Sequence, residues 1–145
     1  METPLTGAAA PPSHEFVEHT GEVRLHVRAS SLACLLEEAG CALGSLMLRG
    51  HIGTTAPEWT GIEVESADRT ALLVDWLNEL VYLAETSHTV PTEFRIIVAD
   101  QTRVSAQVRG VPVEQPPSLV KAATLHQARV VPTEGGYEAD VILDV

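Results

Sequence analysis

The pattern of apolar and polar residues predicts an α+β fold: two layers, with a mostly antiparallel β-sheet of about six strands covered by two helices. Three observations carry that expectation. Several short segments alternate apolar and polar residues, as a strand with one buried face must. Two longer segments place their apolar residues on a single helical face. In the second half, strand-like segments follow one another through short turns, which suits antiparallel neighbours.

Taken in order, residues 1–13 (METPLTGAAAPPS) lack the basic start and apolar centre of a signal peptide and read as a flexible Ala/Pro tail. A single domain is expected over 14–145. Val23, Leu25 and Val27 alternate with Glu22, Arg24, His26 and Arg28, which predicts the first strand. Ser30 or Ser31 can cap a helix whose face carries Leu32, Leu35, Leu36, Ala39, Leu43, Leu46 and Met47. Gly40 and Gly44 weaken that helix on its own, so packing must support it. Residues 49–59 read as a loop, and GIEVES as a short strand. Asp68 caps the strongest helix, which turns Leu72, Leu73, Trp76, Leu77, Leu80, Val81 and Leu83 to one side. EFRIIVAD and RVSAQVRG form two strands around a turn near Asp100-Gln101. After a Pro-rich loop, LVKAATLHQARVV is open between helix and strand; Val120, Thr124, Val130 and Val131 favour strand. TEGG is a turn signal, and YEADVILDV is the last strand.

Composition narrows the function. The chain has 145 residues, 45% of them hydrophobic, enough for one domain with a core. Nine basic residues against 20 acidic ones give a formal charge of −11. That disfavours direct, stable nucleic-acid binding, which needs basic patches to displace counterions. It suits a basic protein partner, a cation, or solubility alone. Cys34 and Cys41 stand seven apart on a predicted helix, about 10 Å by helical rise, too far for a disulfide. They read as small core residues of a protein in a reducing compartment, the cytoplasm. No apolar run of about 20 residues predicts a membrane span.

Common catalytic signatures are missing: no Gly-rich phosphate loop, GxSxG, CxxC or HExxH occurs. His26 is expected on the solvent face of its strand, and His51 and His88 in segments with nothing chemical beside them. EHTGE crowds Glu18, His19, Thr20 and Glu22 at the entry to a strand; strand capping is the plain reading and convergence on a ligand the sharper one. Lys121 and His126 are five apart, so on a regular strand they face opposite sides unless a bulge intervenes. The chain's last two residues offer two carboxylates, the side chain of Asp144 and the main chain of Val145. A hard divalent cation prefers such oxygens, and Glu22 would suit as a third ligand. The plain alternative is a strand that merely ends.

Four segments also resemble the archease family, in order over most of 14–145. EHTGEVRLHV is similar to the family's opening EHTADIGIRV-like strand, and LLVDWLNELVYLAET to its LLVDWLNELLYL helix. LVKAATLHQARV resembles EVKAVTYHGLKV, and YEADVILDV the closing strand with its terminal Asp and aliphatic residue. The resemblance implies a divalent metal (Ca2+ first, Mg2+ or Mn2+ as alternatives) held by the Asp of HTAD, the penultimate Asp and the C-terminal carboxylate. These fall on Glu22, Asp144 and Val145, and the resemblance also draws attention to His19, Lys121 and His126. It implies a protein cofactor, not a free-standing enzyme. Such a protein stimulates guanylylation and multiple turnover of a GTP-dependent RNA ligase that joins 2′,3′-cyclic phosphate or 3′-phosphate ends to 5′-hydroxyl ends. Two other readings stand beside it: a general chaperone-like binding module, and a metal-dependent hydrolase using Glu22 and Asp144. The chain departs from the family pattern at Gly21 for Ala, Glu22 for Asp, and TLHQ for TYHG.

Overall fold

Residues 10–145 are described by a computed structural model, and local signals set its helix ends. Ser31, in extended conformation, accepts the Cys34 N–H at 3.1 Å and starts α1 (Leu32–Leu48). Arg49 closes it in the left-handed region, its N–H donating to the Ser45 carbonyl at 3.0 Å. Asp68 accepts the Ala71 N–H at 2.8 Å and starts α2 (Arg69–Ser87), which His88 ends at φ 54°.

Seven strands accompany the helices: β1 (Ser13–His19), β2 (Glu22–Ala29), β3 (Thr60–Glu65), β4 (Thr89–Ala99), β5 (Arg103–Pro112), β6 (Ala122–Thr133) and β7 (Gly136–Asp144). They form two antiparallel sheets, ordered β1-β2-β7-β6 and β3-β5-β4. The α+β architecture with two helices is as expected, but there are seven strands in place of about six, and two sheets in place of one. The additional strand is β1, an edge strand exposed along nearly all its length, so it lacks the alternation that marks a half-buried strand. The flexible tail expected over 1–13 lies mostly on residues 1–9, outside the described residues; Ser13 already pairs with Arg28.

One apolar core joins both sheets to both helices. Helix α1 packs on β2 and β4, and α2 on β6, β3 and β4, so each helix touches both sheets. Val23, Leu25 and Val27 of β2 and Ala139, Val141 and Leu143 of β7 face this core. The two glycines that weaken α1 are where it meets β4: a Cβ at Gly40 would strike the Phe94 ring, and one at Gly44 the Pro91 carbonyl. Their cost in helix propensity is thus offset by close approach to the sheet. Cys34 and Cys41 are free thiols and only half-buried. Burial, reinforced by Glu38 and Glu37, pushes the Cys41 thiol up to about 11, so little reactive thiolate forms at neutral pH.

Candidate functional site

The site is built on the face of the four-stranded sheet that points away from the helices. Thr20-Gly21 joins β1 to β2 in two residues, and Gly21 holds φ +78°, a left-handed conformation that suits glycine. That turn sets His19 opposite Glu22. Glu22 in turn lies opposite Asp144, and Asp144 opposite Ala122 on β6. Directly opposed residues point to the same face with Cβ atoms about 4.5–5.5 Å apart. His19, Glu22, Asp144 and Ala122 therefore form one row across all four strands. A second row reads Val17, Arg24, Ile142 and Thr124, and a third Glu15, His26, Asp140 and Arg129.

The backbone at the end of the first row is held from both sides. The Val145 N–H donates to the Gly21 carbonyl at 3.1 Å, and the Lys121 N–H to the Asp144 carbonyl at 2.8 Å. The Val145 side chain packs against the core. The Val145 main chain is thereby tied to the turn that precedes Glu22.

Glu22 and Asp144 are like charges directly opposed, an arrangement that costs stability unless a cation intervenes. Neither takes part in an ion pair among the described residues. Among those residues no three His, Cys, Asp or Glu side chains converge in metal-binding fashion. The expected set contains only two such side chains, its third member being a main-chain carboxylate. Oxygen donors of this kind fit a hard divalent cation.

Lys121 and His126 are less closely joined to the row. Lys121 precedes β6 with an exposed side chain, and only its N–H is shown to meet Asp144. His126 sits in a bulge that does intervene: β6 leaves its register with β7 between Thr124 and Arg129. There Gln127 adopts φ 60°, and the His126 N–H donates to the Thr124 hydroxyl at 3.2 Å. The bulge leans over the outer face, because Arg24 donates to the Gln127 side-chain oxygen at 2.8 Å. Beneath it Ile142 is only 3% exposed although it points away from the main core. His126 is exposed beside the second row and does not join the first.

Two features escaped the sequence reading. The first is Asn78 on α2, which donates to the Ala123 carbonyl at 3.0 Å and accepts the Ala123 N–H at 2.8 Å. It imitates a neighbouring strand along the free edge of β6. Further along, Arg69 and Thr70 do the same at Val130. Asn78→Ala should cost about 1–3 kcal/mol, the usual penalty for half-buried main-chain groups left without partners, measured as a lower urea midpoint with unchanged m-value.

The second is His26, read as a solvent-facing bystander. It does lie on the outer face, but it bonds Asp140 at 2.8 Å and approaches Glu138 at 3.3 Å. Arg129 also bonds Asp140, at 2.7 Å. Burial acts to raise the Asp140 carboxyl, yet hydrogen bonds and charge from His26 and Arg129 outweigh it and hold it below the ordinary range. A carboxyl lowered on folding stabilises the fold above its unfolded pKa of about 3.9, and that contribution fades as pH falls through the folded value. Asp140→Asn should therefore lower stability by about 1 kcal/mol at pH 7 and by progressively less as the pH falls below about 3.9, read from denaturant midpoints across that range.

Fold and site together define a class: small α+β proteins with opposed carboxylates on the outer face of an antiparallel sheet. Residues 14–145 match the model of the Archease protein family (MTH1598/TM1083). A protein archease of Archaeoglobus fulgidus is 32% identical over 136 residues, covering 91% of this chain and 98% of that protein. One from Methanosarcina barkeri is 28% identical, covering 91% and 95%. The solution structure of Methanobacterium thermoautotrophicum protein 1598 superposes with a TM-score of 0.74 at 26% identity, covering 91% of this chain and 98% of that one. A Thermotoga maritima crystal structure, described as an archease and possible chaperone, gives a TM-score of 0.57 at 16% identity, covering 100% and 98%, and bears on the fold alone. The chain belongs to the archease family. No helix among the described residues is long and apolar enough to cross a membrane.

Proposed function

We propose that this protein is an activator of a GTP-dependent RNA ligase of the type that joins 2′,3′-cyclic phosphate or 3′-phosphate ends to 5′-hydroxyl ends, in transfer-RNA splicing or RNA repair. It promotes guanylylation and repeated turnover of that ligase in the cytoplasm and has no catalytic cycle of its own. The observation that carries this reading is the opposition of Glu22 and Asp144 beside a Val145 main chain tied to Gly21.

Glu22, Asp144 and the Val145 carboxylate would hold a divalent ion, Ca2+, Mg2+ or Mn2+. Such an ion supplies Lewis acidity and neutralises charge on a phosphoryl oxygen. Gly21 and Lys121 orient the row through their main chains. His19 shares the row, and the exposed Lys121 precedes β6 nearby, where both can meet a partner surface. Glu22 is one methylene longer than the family's Asp; the left-handed freedom of Gly21 next to it lets the turn place the longer carboxylate.

The test is multiple-turnover RNA joining by the cognate ligase with GTP and Mn2+ or Mg2+, in the presence of substoichiometric protein. Native protein should stimulate, and Asp144→Ala should not. Stimulation that survives Asp144→Ala removes the carboxylate site from the mechanism. A general chaperone instead predicts protection of unrelated proteins from aggregation that is indifferent to Asp144. A free-standing hydrolase predicts EDTA-sensitive turnover of a phosphoester by the protein alone.

A further inference from the structure

On the same outer face, among the described residues, one arginine has no carboxylate to answer it. Arg28 and Arg129 are each neutralised, by Glu138 at 3.1 Å and by Asp140 at 2.7 Å. Arg24 forms no ion pair among the described residues; its guanidinium is held by the neutral amide oxygen of Gln127 at 2.8 Å. A protein with a formal charge of −11 has abundant carboxylates for such a group. Here the partner is instead a residue in the left-handed conformation, φ 60°, which costs any side chain other than glycine's. Gln127 can accept from the guanidinium without cancelling its charge, so Arg24 is oriented and remains positive.

Its position gives that charge a use. Arg24 stands in the row next to Glu22 and Asp144, two residues along the same strand faces, which is about 7 Å. Carboxylates that hold a divalent ion in one row and a guanidinium in the next offer two points of attachment of opposite kind. A phosphoryl group matches both, because one oxygen can meet the ion while others accept the planar fork of an arginine. We propose that Arg24 is an anion subsite that takes the phosphoryl oxygens of a phosphate-bearing ligand beside the carboxylate row. The proposal deepens the functional reading above and rests on it for the ion. The phosphoryl group has two sources, a nucleoside triphosphate or a terminal RNA phosphate.

The experiment uses the full-length, 15N-labelled protein titrated with methyl phosphate, with and without Mg2+, following the Arg24 Nε–H and the Gln127 side-chain amide by NMR. In the native protein both signals should shift saturably, and Mg2+ should tighten binding. Arg24→Gln should weaken binding roughly tenfold or more, as expected for loss of a charge-assisted hydrogen bond. Gln127→Gly keeps the cation and releases the bulge, so it should bind within a few-fold of native. An Arg24 signal that does not move, or Arg24→Gln that binds like native, overturns the proposal. So does a Gln127→Gly loss as large as that of Arg24→Gln, since Arg24 would then act only by latching the bulge. Phosphate binding that depends on Arg24 but is indifferent to Mg2+ and to Asp144→Asn supports the subsite and removes the metal from the reading above. Parallel titrations with GTP and with a 3′-phosphorylated dinucleotide identify the source: the one that saturates the Arg24 shift at lower concentration is the ligand.

Discussion

Adding one glycine after Val145 should abolish stimulation of the proposed ligase partner while leaving the thermal midpoint nearly unchanged. The fold contributes nothing to this loss. The Val145 side chain keeps its seat on the core, and its N–H keeps the Gly21 carbonyl, because neither group is altered by an extra residue beyond it. Only the negative charge moves, by about 3.3–3.6 Å per added residue, and an uncharged amide replaces it beside Glu22 and Asp144. Metal sites tolerate displacements of only about 0.2 Å from ideal ligand distances, so the site would lose one of three carboxylates. Asp144→Ala should act alike, because it removes the proposed side-chain ligand from the exposed end of β7 without touching the buried face of that strand. Multiple-turnover joining measures both, and a melting curve separates lost function from lost fold. Full stimulation by the extended protein would leave the partner in place and discard the terminal ligand.

Trp76→Ala should produce the largest loss of stability. The indole is fully buried, lies 6.0 Å from the Phe94 ring, and donates its Nε1–H to the Leu36 carbonyl at 2.9 Å. It therefore ties α2 to α1 and both helices to β4. Truncating such a side chain costs about 3–5 kcal/mol, a large share of the roughly 5–15 kcal/mol that holds a domain together. At about 2–4 °C per kcal/mol for a chain of this size, the midpoint should fall by about 6–20 °C. Trp59 supplies the contrast. It stands half-buried outside the core with Arg95 and Arg109 at 3.9 and 4.4 Å from its ring centre, and loss of such contacts costs about 1–2 kcal/mol. Equal losses at the two tryptophans would mean that Trp76 is not the centre of the core.

These two expectations also mark what can be read from a sequence and what cannot. Helix α2 was legible because Asp68 and the apolar face around Trp76 are local signals. So was β7, whose alternation runs to Asp144 with Ile142 as its one interruption. Strand β1 was not, because an edge strand buries almost nothing and only Phe16 packs inward. The segment around His126 was ambiguous because β6 contains a bulge, and a bulge destroys the period that identifies a strand. Of the candidate residues, His19, Glu22 and Asp144 share a row, Val145 is tied to its turn, and Lys121 and His126 stand aside. The role of His26 could not be read, since it depends on which strand lies beside β2. Once β2 is paired with β7, the partners Arg28–Glu138, His26–Asp140 and Glu22–Asp144 follow from one register. Asn78 carried no signal of its own, because its partner is main chain from a distant strand.

The same pairing of β2 with β7 has a consequence for how the protein is made. Strand β2 is among the first elements to leave the ribosome, and β7 is the final strand of the fold. At about 5–20 residues per second, β2 waits on the order of ten seconds for its principal neighbour. During that interval Val23, Leu25 and Val27 need another cover. Helix α1 follows β2 directly and packs on it in the finished protein, so a β1-β2-α1 unit can shelter those side chains early. The carboxylate row, by contrast, is assembled only when the two ends of the domain meet. A nascent or truncated chain would contain Glu22 but no site.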